Sequence, residues 1–288
     1  MAVLTVTLNP AVDRILKVGE FSIGKDHRVS SVEVSAGGKG VNVARALNAL
    51  GVAAHSLTLL DDELEKMRVN TTLIDVKGRV TRMIEPGVPA SRTAQRRFMH
   101  LFKTRLRSCR HVIFSGSLPP GMDPSYLTAL MGIAQKQGAW VAVDTSGLAL
   151  KTVVKQRVDC VKPNRAEAQE LLGIKLSTRS QIRKALHALA GCGIKDVLVS
   201  LGQDGLAGFD GEHEIFARAP VVRGGHALGC GDAALAGFVA AYLKKRNFQR
   251  CVGFAAACGA AAARESIPGG IKRQDVKVIE RCISFDKE

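Results

Sequence analysis

The chain has 288 residues, 46% of them hydrophobic, which is enough for one sizeable folded domain. Its seven cysteines include no CxxC pair, which argues against a disulfide framework or a thiolate zinc site and indicates a reducing, cytoplasmic location. The formal net charge of +15 favours anionic partners, and no apolar run is long enough to cross a bilayer, so we expect no membrane partner.

Short apolar runs alternate with helical patterns along the chain. Buried strands are predicted at 3–8, 111–114, 140–143, 158–161 and 197–201. Between them, Asp123 followed by Pro124 predicts a helix start, and another helix is predicted from Ser177 or Thr178 to Gly191. Strands separated by helices predict an α/β fold with a mainly parallel sheet that is covered on both faces.

A glycine cluster precedes the first predicted helix, in the sequence AGGKGVNVAR at 36–45. The helix carries Val43, Leu47 and Leu50 along one side. A cation and backbone N-H groups at a helix start form a candidate anion site. The segment is neither a Walker A loop nor a dinucleotide fingerprint, because its glycine spacing differs from both.

Polar segments follow the predicted strands. They lie at 9–13, 115–119, 144–147, 162–164 and 200–202. In open α/β sheets, ligands bind outside the carboxyl ends of the strands. Five such segments with small or hydrogen-bonding residues therefore predict one shared crevice.

A second glycine cluster, Gly229-Cys230-Gly231-Asp232, precedes an apolar helical run at 233–243. Small residues allow a phosphate close to the backbone, a helix start offers N-H groups, and a carboxylate can accept a proton. The pattern indicates a phosphoryl-transfer centre, although the same residues also occur at ordinary turns and helix starts.

The positive charge is concentrated between Arg79 and Arg110, which contain nine Arg or Lys residues and one acidic residue, Glu85. Such a stretch favours phosphorylated small molecules or a polyanion. The alternative is a solvated helix over 91–108, with Phe98, Leu101, Phe102 and Leu106 turned inward and its arginines in water.

Six motifs together resemble the phosphofructokinase B family of ribokinase-like carbohydrate kinases. They are TLNPAVD at 7–13, AGGKGVNVAR at 36–45, SGSLPPG at 115–121, VKPNRAE at 161–167, SLGQDG at 200–205 and GCGD at 229–232. The resemblance is strongest to the phosphosugar branch. It implies a single kinase domain over 1–288, a three-layer sandwich with a mainly parallel central sheet, and a small β lid from segments at about 10–34 and 71–87.

The resemblance also implies an activity. An ATP-dependent kinase would phosphorylate a hydroxyl of a hexose phosphate, with fructose 1-phosphate favoured over the 6-phosphates of fructose and tagatose. Asp232 would be the catalytic base, and Gly229, Cys230 and Gly231 would bind the developing charge. Mg²⁺ would be held by Asn164 and Glu167 through water. These two residues can equally cap a helix, and both roles can hold at once.

The remaining site residues divide between the two substrates. Asp13, Gly37, Gly38 and Asn42 would line the sugar site, and Lys39, Arg28 and Arg82 would bind the sugar phosphate. The residues expected beside ATP are Asn164, Ser200, Gly202, Gly205 and Gly231.

Two departures from the family pattern concern the lid. A loop is missing after Leu60, at 61–64, and part of a hairpin is missing after Arg82. The lid is therefore predicted to be shortened, and with it the contact through which a homodimer would form. A rival of another class follows from the same departures: a non-catalytic protein of this fold that binds a polyanion through 79–110. The intact GxGD and NxxE motifs argue against this rival, so nucleic acid is not the expected partner.

Overall fold

The computed structural model describes residues 2–61, 67–222 and 225–286. The strands are β1 (Ala2–Thr7), β2 (Ala11–Val18), β3 (Val29–Gly37), β4 (Ala54–Thr58), β5 (Val69–Asp75), β6 (Val80–Ile84), β7 (Cys109–Ser115), β8 (Trp140–Asp144), β9 (Cys160–Val161), β10 (Asp196–Ser200), β11 (Leu206–Phe209), β12 (Glu214–Arg218) and β13 (Ser284–Phe285). The helices are α1 (Lys39–Ala49), α2 (Arg92–Leu106), α3 (Pro124–Lys136), α4 (Gly147–Val153), α5 (Arg165–Leu172), α6 (Arg179–Gly191), α7 (Cys230–Leu243), α8 (Phe248–Ala262) and α9 (Arg273–Glu280).

The central sheet has nine strands within the described residues, in the order β13-β12-β11-β10-β9-β8-β7-β1-β4. Six neighbouring strands pair in parallel, namely β4, β1, β7, β8, β9 and β10. The strands β11, β12 and β13 extend the sheet with antiparallel pairs. The predicted mainly parallel sheet is confirmed. The carboxyl ends of its parallel strands meet at one edge, where the polar segments lie.

Helices cover both faces of this sheet. Side chains alternate between the two faces along each strand, so both faces present apolar residues that need to be covered. In β8, Val141 and Val143 pack in the core beneath α2 to α6, whereas Ala142 packs in the core beneath α1, α7, α8 and α9. The three-layer sandwich is therefore confirmed.

Local capping explains where two of the predicted helices begin. The Asp123 side chain caps α3 by accepting a hydrogen bond from the Ser125 N-H at 2.7 Å, and Pro124 occupies the first turn. Thr178 and Gln181 form a capping box at the start of α6. Both helix starts agree with the sequence predictions.

Three local predictions need correction. Strand β9 covers Cys160–Val161 rather than 158–161. Leu101 is 42% exposed, because the buried arc of α2 consists of residues spaced four apart and Leu101 lies outside it. Helix α7 begins at Cys230 rather than at 233, so Asp232 lies within its first turn.

A second sheet, which we call the lid sheet, has four strands within the described residues, in the order β3-β2-β5-β6. It extends to Gly37 and begins again at Val69, somewhat beyond the predicted lid segments. The first predicted gap in the lid, at 61–64, falls mostly on residues 62–66, which lie outside the described residues. That the lid is shorter than in the family remains a prediction.

The basic stretch forms β6 and α2 on the surface. Arg92, Arg96 and Lys103 on α2, and Arg107 directly after it, are exposed and make no ion pair with the described part of the chain. This arrangement agrees with a solvated helix face. In the described ranges, no helix is both long and apolar enough to cross a membrane.

Candidate active site

The amino end of α7 carries the proposed catalytic turn. Gly229 caps the helix with a φ of 66°, and a Cβ there would overlap the backbone N of Gly269, so only glycine fits. Cys230, Gly231 and Asp232 form the first turn, whose N-H groups have no partner within the helix. This turn can accept an anion beside a carboxylate.

Asp232 is buried, with 6% of its surface exposed. Burial and the neighbouring Asp144 carboxylate raise the pKa of Asp232 to about 6, and Lys39 together with the Asn42 amide limits the rise. At neutral pH the side chain is therefore mainly ionised but more basic than an ordinary aspartate. These are the properties that a general base requires.

Helix α1 faces this turn from the other side of the site. The Asn42 amide donates a hydrogen bond to the Asp232 carboxylate at 2.8 Å across 190 residues of sequence. Lys39 begins the same helix, after Gly38 with its φ of 104°. The structure thus brings together the two glycine-bearing segments that the sequence separates.

A cluster of opposite charges lies beneath the site. Asp144 pairs with Lys39 Nζ at 2.9 Å through Oδ1 and with Lys162 Nζ at 3.0 Å through Oδ2. Glu167 lies 3.5 Å from Lys39 Nζ. Both Asp144 and Lys162 are almost fully buried. Removing Asp144 would leave the buried ammonium of Lys162 without this partner, which is strongly destabilising.

The charges in this cluster change the affinity of each group for protons. Burial opposes ionisation of Asp144, but Lys162 and Lys39 hold the pKa of its carboxyl below the usual value. Burial likewise opposes the charged form of Lys39, yet Asp144, Glu167 and Asp232 raise the pKa of its ammonium. Lys39 therefore stays positively charged, even though it lies at the positive end of the α1 dipole.

Asp144 and Lys162 were not predicted as site residues. The signal was present, since the segments 144–147 and 162–164 were expected in the crevice. No role was predicted for the charged residue at the end of each buried strand, which is Asp144 in the first segment and Lys162 in the second.

The lid sheet supplies the opposite wall through Asp13. Asn70 on β5 donates a hydrogen bond to Asp13 Oδ1 at 2.9 Å, and both side chains are buried. A Cβ on Gly37 would overlap the Asp13 carboxylate, so this glycine makes room for the acid. Asn70 was missed from the sequence, because only strand pairing places it opposite Asp13.

The two arginines predicted for the sugar phosphate differ in position. Arg82 pairs with Thr72 in the β5–β6 register, two residues from the Asn70 pair, so it shares the sheet face of Asn70. Arg28 is exposed before β3 and makes no hydrogen bond or ion pair with the described residues. Arg82 therefore lies on the Asn70 face of the lid sheet, and neither arginine side chain makes a hydrogen bond or ion pair with the described residues.

Asn164 and Glu167 form a capping box at the start of α5. Asn164 Oδ1 accepts from the Glu167 N-H at 2.9 Å, and Glu167 Oε2 accepts from the Asn164 N-H at 2.8 Å. The capping role is confirmed. The side-chain oxygens of these two residues are hard donors, which suit Mg²⁺, an ion that usually keeps several waters. The described residues contain no group of three or more His, Cys, Asp or Glu side chains that could hold a metal directly.

Among the residues predicted beside ATP, Ser200 ends β10, Gly202 and Gly205 follow it, Asn164 lies beside it, and Gly231 lies in the first turn of α7. Ser200 forms a β-bridge with Asn164, and Gly202 opens a short 3₁₀ turn with a φ of 67°. Gly205 has a φ of 101°, and a Cβ there would overlap the carbonyl oxygen of Ala217. The close packing of the backbone therefore already requires glycine at 205.

Cys230 carries a neutral thiol. Burial raises its pKa to about 12, with a smaller effect from Asp232, and its Sγ lies 3.3 Å from the carbonyl oxygen of His226. A thiol in this state is a poor nucleophile, so Cys230 acts as a small packing residue in the turn.

Comparison with known proteins identifies the family. Residues 62–269 match the pfkB family carbohydrate kinase description. The chain belongs to the pfkB family of carbohydrate kinases. Its curated relatives include the 1-phosphofructokinase of Xanthomonas campestris pv. campestris, 30% identical over 96% of this chain and 97% of that protein. The 1-phosphofructokinase of Rhodobacter capsulatus is 34% identical over 83% of each chain.

Among solved structures, a possible 1-phosphofructokinase of Thermotoga maritima superposes with a TM-score of 0.88 at 25% identity and covers 100% of both chains. As a pfkB kinase, the protein is a phosphotransferase with an alcohol group as acceptor. Sugar kinases of the pfkB family use ATP with a divalent metal ion.

Proposed function

We propose that this pfkB kinase transfers the γ-phosphate of ATP to fructose 1-phosphate and produces fructose 1,6-bisphosphate. The observation that carries the proposal is the buried Asp232 carboxylate, with its pKa of about 6, in the first turn of α7. The names of the curated relatives support fructose 1-phosphate over the 6-phosphates of fructose and tagatose.

Catalysis would combine proton removal with charge stabilisation. Asp232 would take the proton of the attacking sugar hydroxyl, and the N-H groups of Gly229, Cys230 and Gly231 would face the transferred phosphoryl oxygens. Positioning would contribute most of the rate, since phosphoryl transfer requires little covalent chemistry from the protein.

The sugar would bind between α1 and the lid sheet. Asp13 would accept hydrogen bonds from its hydroxyls, with Gly37, Gly38 and Asn42 beside it. Asn70 adds an acceptor, because its Oδ1 is buried and has no hydrogen-bond partner among the described residues. A sugar hydroxyl would satisfy that atom.

The phosphate already on the sugar needs cations around it. Lys39, Arg28 and Arg82 are the residues that we propose for this role. Arg82 would act from the lid sheet, and Lys39 from the start of α1, where Asp144 and Glu167 fix its ammonium. Arg28 would have to approach the site from its exposed loop.

The nucleotide would bind at the carboxyl end of β10. Ser200, Gly202, Gly205 and Gly231 would lie beside ATP. Asn164 and Glu167 would hold Mg²⁺ through water, and the ion would neutralise part of the charge of the phosphates. In the capping box, side-chain oxygens of both residues accept hydrogen bonds from backbone N-H groups at the start of α5.

A second copy of the chain is the partner that we propose beyond the substrates. Val32, Val34 and Met83 are 49%, 64% and 52% exposed on β3 and β6 of the lid sheet. Covering this surface would remove apolar area from water.

All seven cysteines are free, which supports a reducing, cytoplasmic location.

Measuring ADP release with Mg-ATP would test the activity. The acceptors would be fructose 1-phosphate, fructose 6-phosphate, tagatose 6-phosphate and unphosphorylated fructose. We expect the highest kcat/KM with fructose 1-phosphate, and Asp232→Asn should lower kcat by a factor of roughly 10² to 10⁴ while ATP still binds. Near-normal turnover by this variant would remove Asp232 from its role.

The phosphate contacts can be tested separately. Arg82→Ala and Arg28→Ala should each raise the KM for fructose 1-phosphate, whereas Arg107→Ala, at an exposed position directly after α2, should leave it unchanged. An unchanged KM in both site variants would contradict the phosphate role. No turnover on any sugar, together with salt-dependent retention of nucleic acid, would favour the polyanion-binding rival.

A further inference from the structure

Arg45, in the second turn of α1, connects three segments around the site. Its guanidinium donates to Asn42 Oδ1 at 2.9 Å, to the carbonyl oxygen of Ala36 at 2.6 Å and to the carbonyl oxygen of Pro268. These acceptors belong to α1, to the end of β3 and to the loop that precedes α9. One half-buried side chain therefore holds the three segments in register.

The contact with Asn42 fixes the orientation of the amide. A guanidinium has only donors, and an ionised carboxylate has only acceptors. An amide between them satisfies both in one orientation alone, with its oxygen toward Arg45 and its nitrogen toward Asp232. The observed hydrogen bonds have this orientation.

We propose that Arg45 is a positioning residue for the catalytic base, because it holds the Asn42 amide with its N-H toward Asp232. The inference rests on the proposed role of Asp232 in proton removal. Without Arg45, the amide can turn and present its oxygen to Asp232, which favours the protonated carboxyl. The base would then be inactive over a wider range of pH.

The third contact of Arg45, with the carbonyl oxygen of Pro268, supports the first turn of α7. Pro268 precedes Gly269, whose backbone N occupies the space that a Cβ on Gly229 would fill. Gly229 caps the helix that carries Asp232. Arg45 therefore acts on the base through Asn42 and on its helix through Pro268.

Other charges also act on Asp232, and a test has to separate them from the amide. The titratable and charged groups that face Asp232 are Lys39 and Arg45 from α1, Asp144 from the end of β8, Lys162 after β9, and Cys230 on α7. Removing the charge of Arg45 would itself favour protonation of Asp232. A double-mutant cycle with Asn42 isolates the part that passes through the amide.

The experiment measures kcat between pH 5 and 9 for the wild type, Arg45→Met, Asn42→Ala and the double variant. Arg45→Met should move the acidic limb of the profile upward by about one pH unit, equal to a roughly tenfold lower kcat on that limb. In the Asn42→Ala background the same change should move the limb by less than about a third of that amount, since no amide remains to turn.

Matched variants make each outcome decisive. Arg246→Met removes a guanidinium that pairs with Glu280 and lies over Phe254, and it should leave the profile unchanged. If Arg45→Met does not fold, the same cycle is run with Arg45→Lys, with a smaller shift expected in the same direction. Equal shifts with and without Asn42, or no shift at all, would overturn the positioning role.

The failure of this inference is distinguishable from that of the proposed function. An active Asp232→Asn variant would contradict the proposed function, whatever Arg45 does. An inactive Asp232→Asn variant combined with equal shifts in the cycle would contradict the role of Arg45 alone.

Discussion

The Asn42 amide donates a 2.8 Å hydrogen bond to the Asp232 carboxylate, which lies 190 residues away in the sequence. This contact joins the starts of α1 and α7, each of which follows a glycine with a positive φ. Two helix starts that face the same space can hold an anion between them. The contact therefore marks the place where ATP, the phosphate donor, and the sugar, the phosphate acceptor, would meet.

The acidic limb of the activity profile should report Asp232. Because burial and Asp144 raise its pKa to about 6, kcat/KM should fall about tenfold per pH unit below pH 6 and stay level above it. The measurement is the initial rate of ADP release with subsaturating sugar phosphate. A profile that stays level down to pH 4.5 would show that the carboxylate does not need to be ionised.

Asp232 should also lower stability at neutral pH. Its pKa is higher in the folded chain than the ordinary value of 3.8, so between pH 4 and 6 the folded state binds more protons than the unfolded state. The free energy of unfolding must then decrease as the pH rises through this window, by about 3 kcal/mol at most. Above pH 6 the whole loss is present.

Asp232→Asn removes this loss, so the variant should be more stable than the wild type at pH 8 by about 2 kcal/mol and equally stable at pH 3.5. Urea unfolding at both pH values measures the difference. Asp26→Asn, at an exposed position, serves as the control and should show no gain at either pH. A gain of the same size at pH 3.5 would point to a cause other than ionisation.

The two glycines of the catalytic turn should respond differently to alanine. Gly229→Ala should destabilise the protein by more than about 2 kcal/mol, because a Cβ meets Gly269 and the φ of 66° is unfavourable for alanine. A Cβ on Gly231 would meet only Lys162 Nζ, at 3.4 Å, so Gly231→Ala should fold with little loss.

Comparing stability with activity then identifies what Gly231 does. A folded Gly231→Ala variant with a much lower kcat would indicate that a phosphate needs the space above this residue. Thermal unfolding and ADP release measure the two quantities. Equal destabilisation of the two variants would contradict the packing difference that the structure shows.

The ion cluster should be sensitive to the loss of one partner. Asp144→Asn leaves the buried ammonium of Lys162 without its 3.0 Å partner, and we expect a loss of about 3 to 5 kcal/mol in the free energy of unfolding. Asp144→Asn combined with Lys162→Met should recover part of this stability, because the unpaired buried charge is gone. Chemical denaturation measures both.

Lys195 and Asp159 provide a control at the surface. This pair has a similar N to O distance of 2.6 Å, but the lysine side chain is 76% exposed. Lys195→Met should therefore change stability by less than about 1 kcal/mol. A loss as large as that of Asp144→Asn would show that burial does not govern the cost.

Several parts of the site could be predicted because their signals are local. Asn164 and Glu167 lie three residues apart and form the capping box that this spacing favours. Asp232 follows two glycines at a helix start, so its place beside unpaired N-H groups follows from the sequence. The prediction that Leu101 is buried was wrong, because an apolar residue beside the buried side of a helix can face either the core or water.

The sequence by itself determined the alternating strands and helices, the capped helix starts and the two glycine-bearing turns, since each depends on residues within one or two turns of the chain. Only the tertiary structure decided which of these segments meet. The pairing of Asp144 with Lys39 and Lys162, of Asn70 with Asp13, and of Arg45 with Pro268 depends on strand order and helix packing. The pKa of Asp232 was decided in the same way, because burial and neighbouring charges exist only once distant segments have come together.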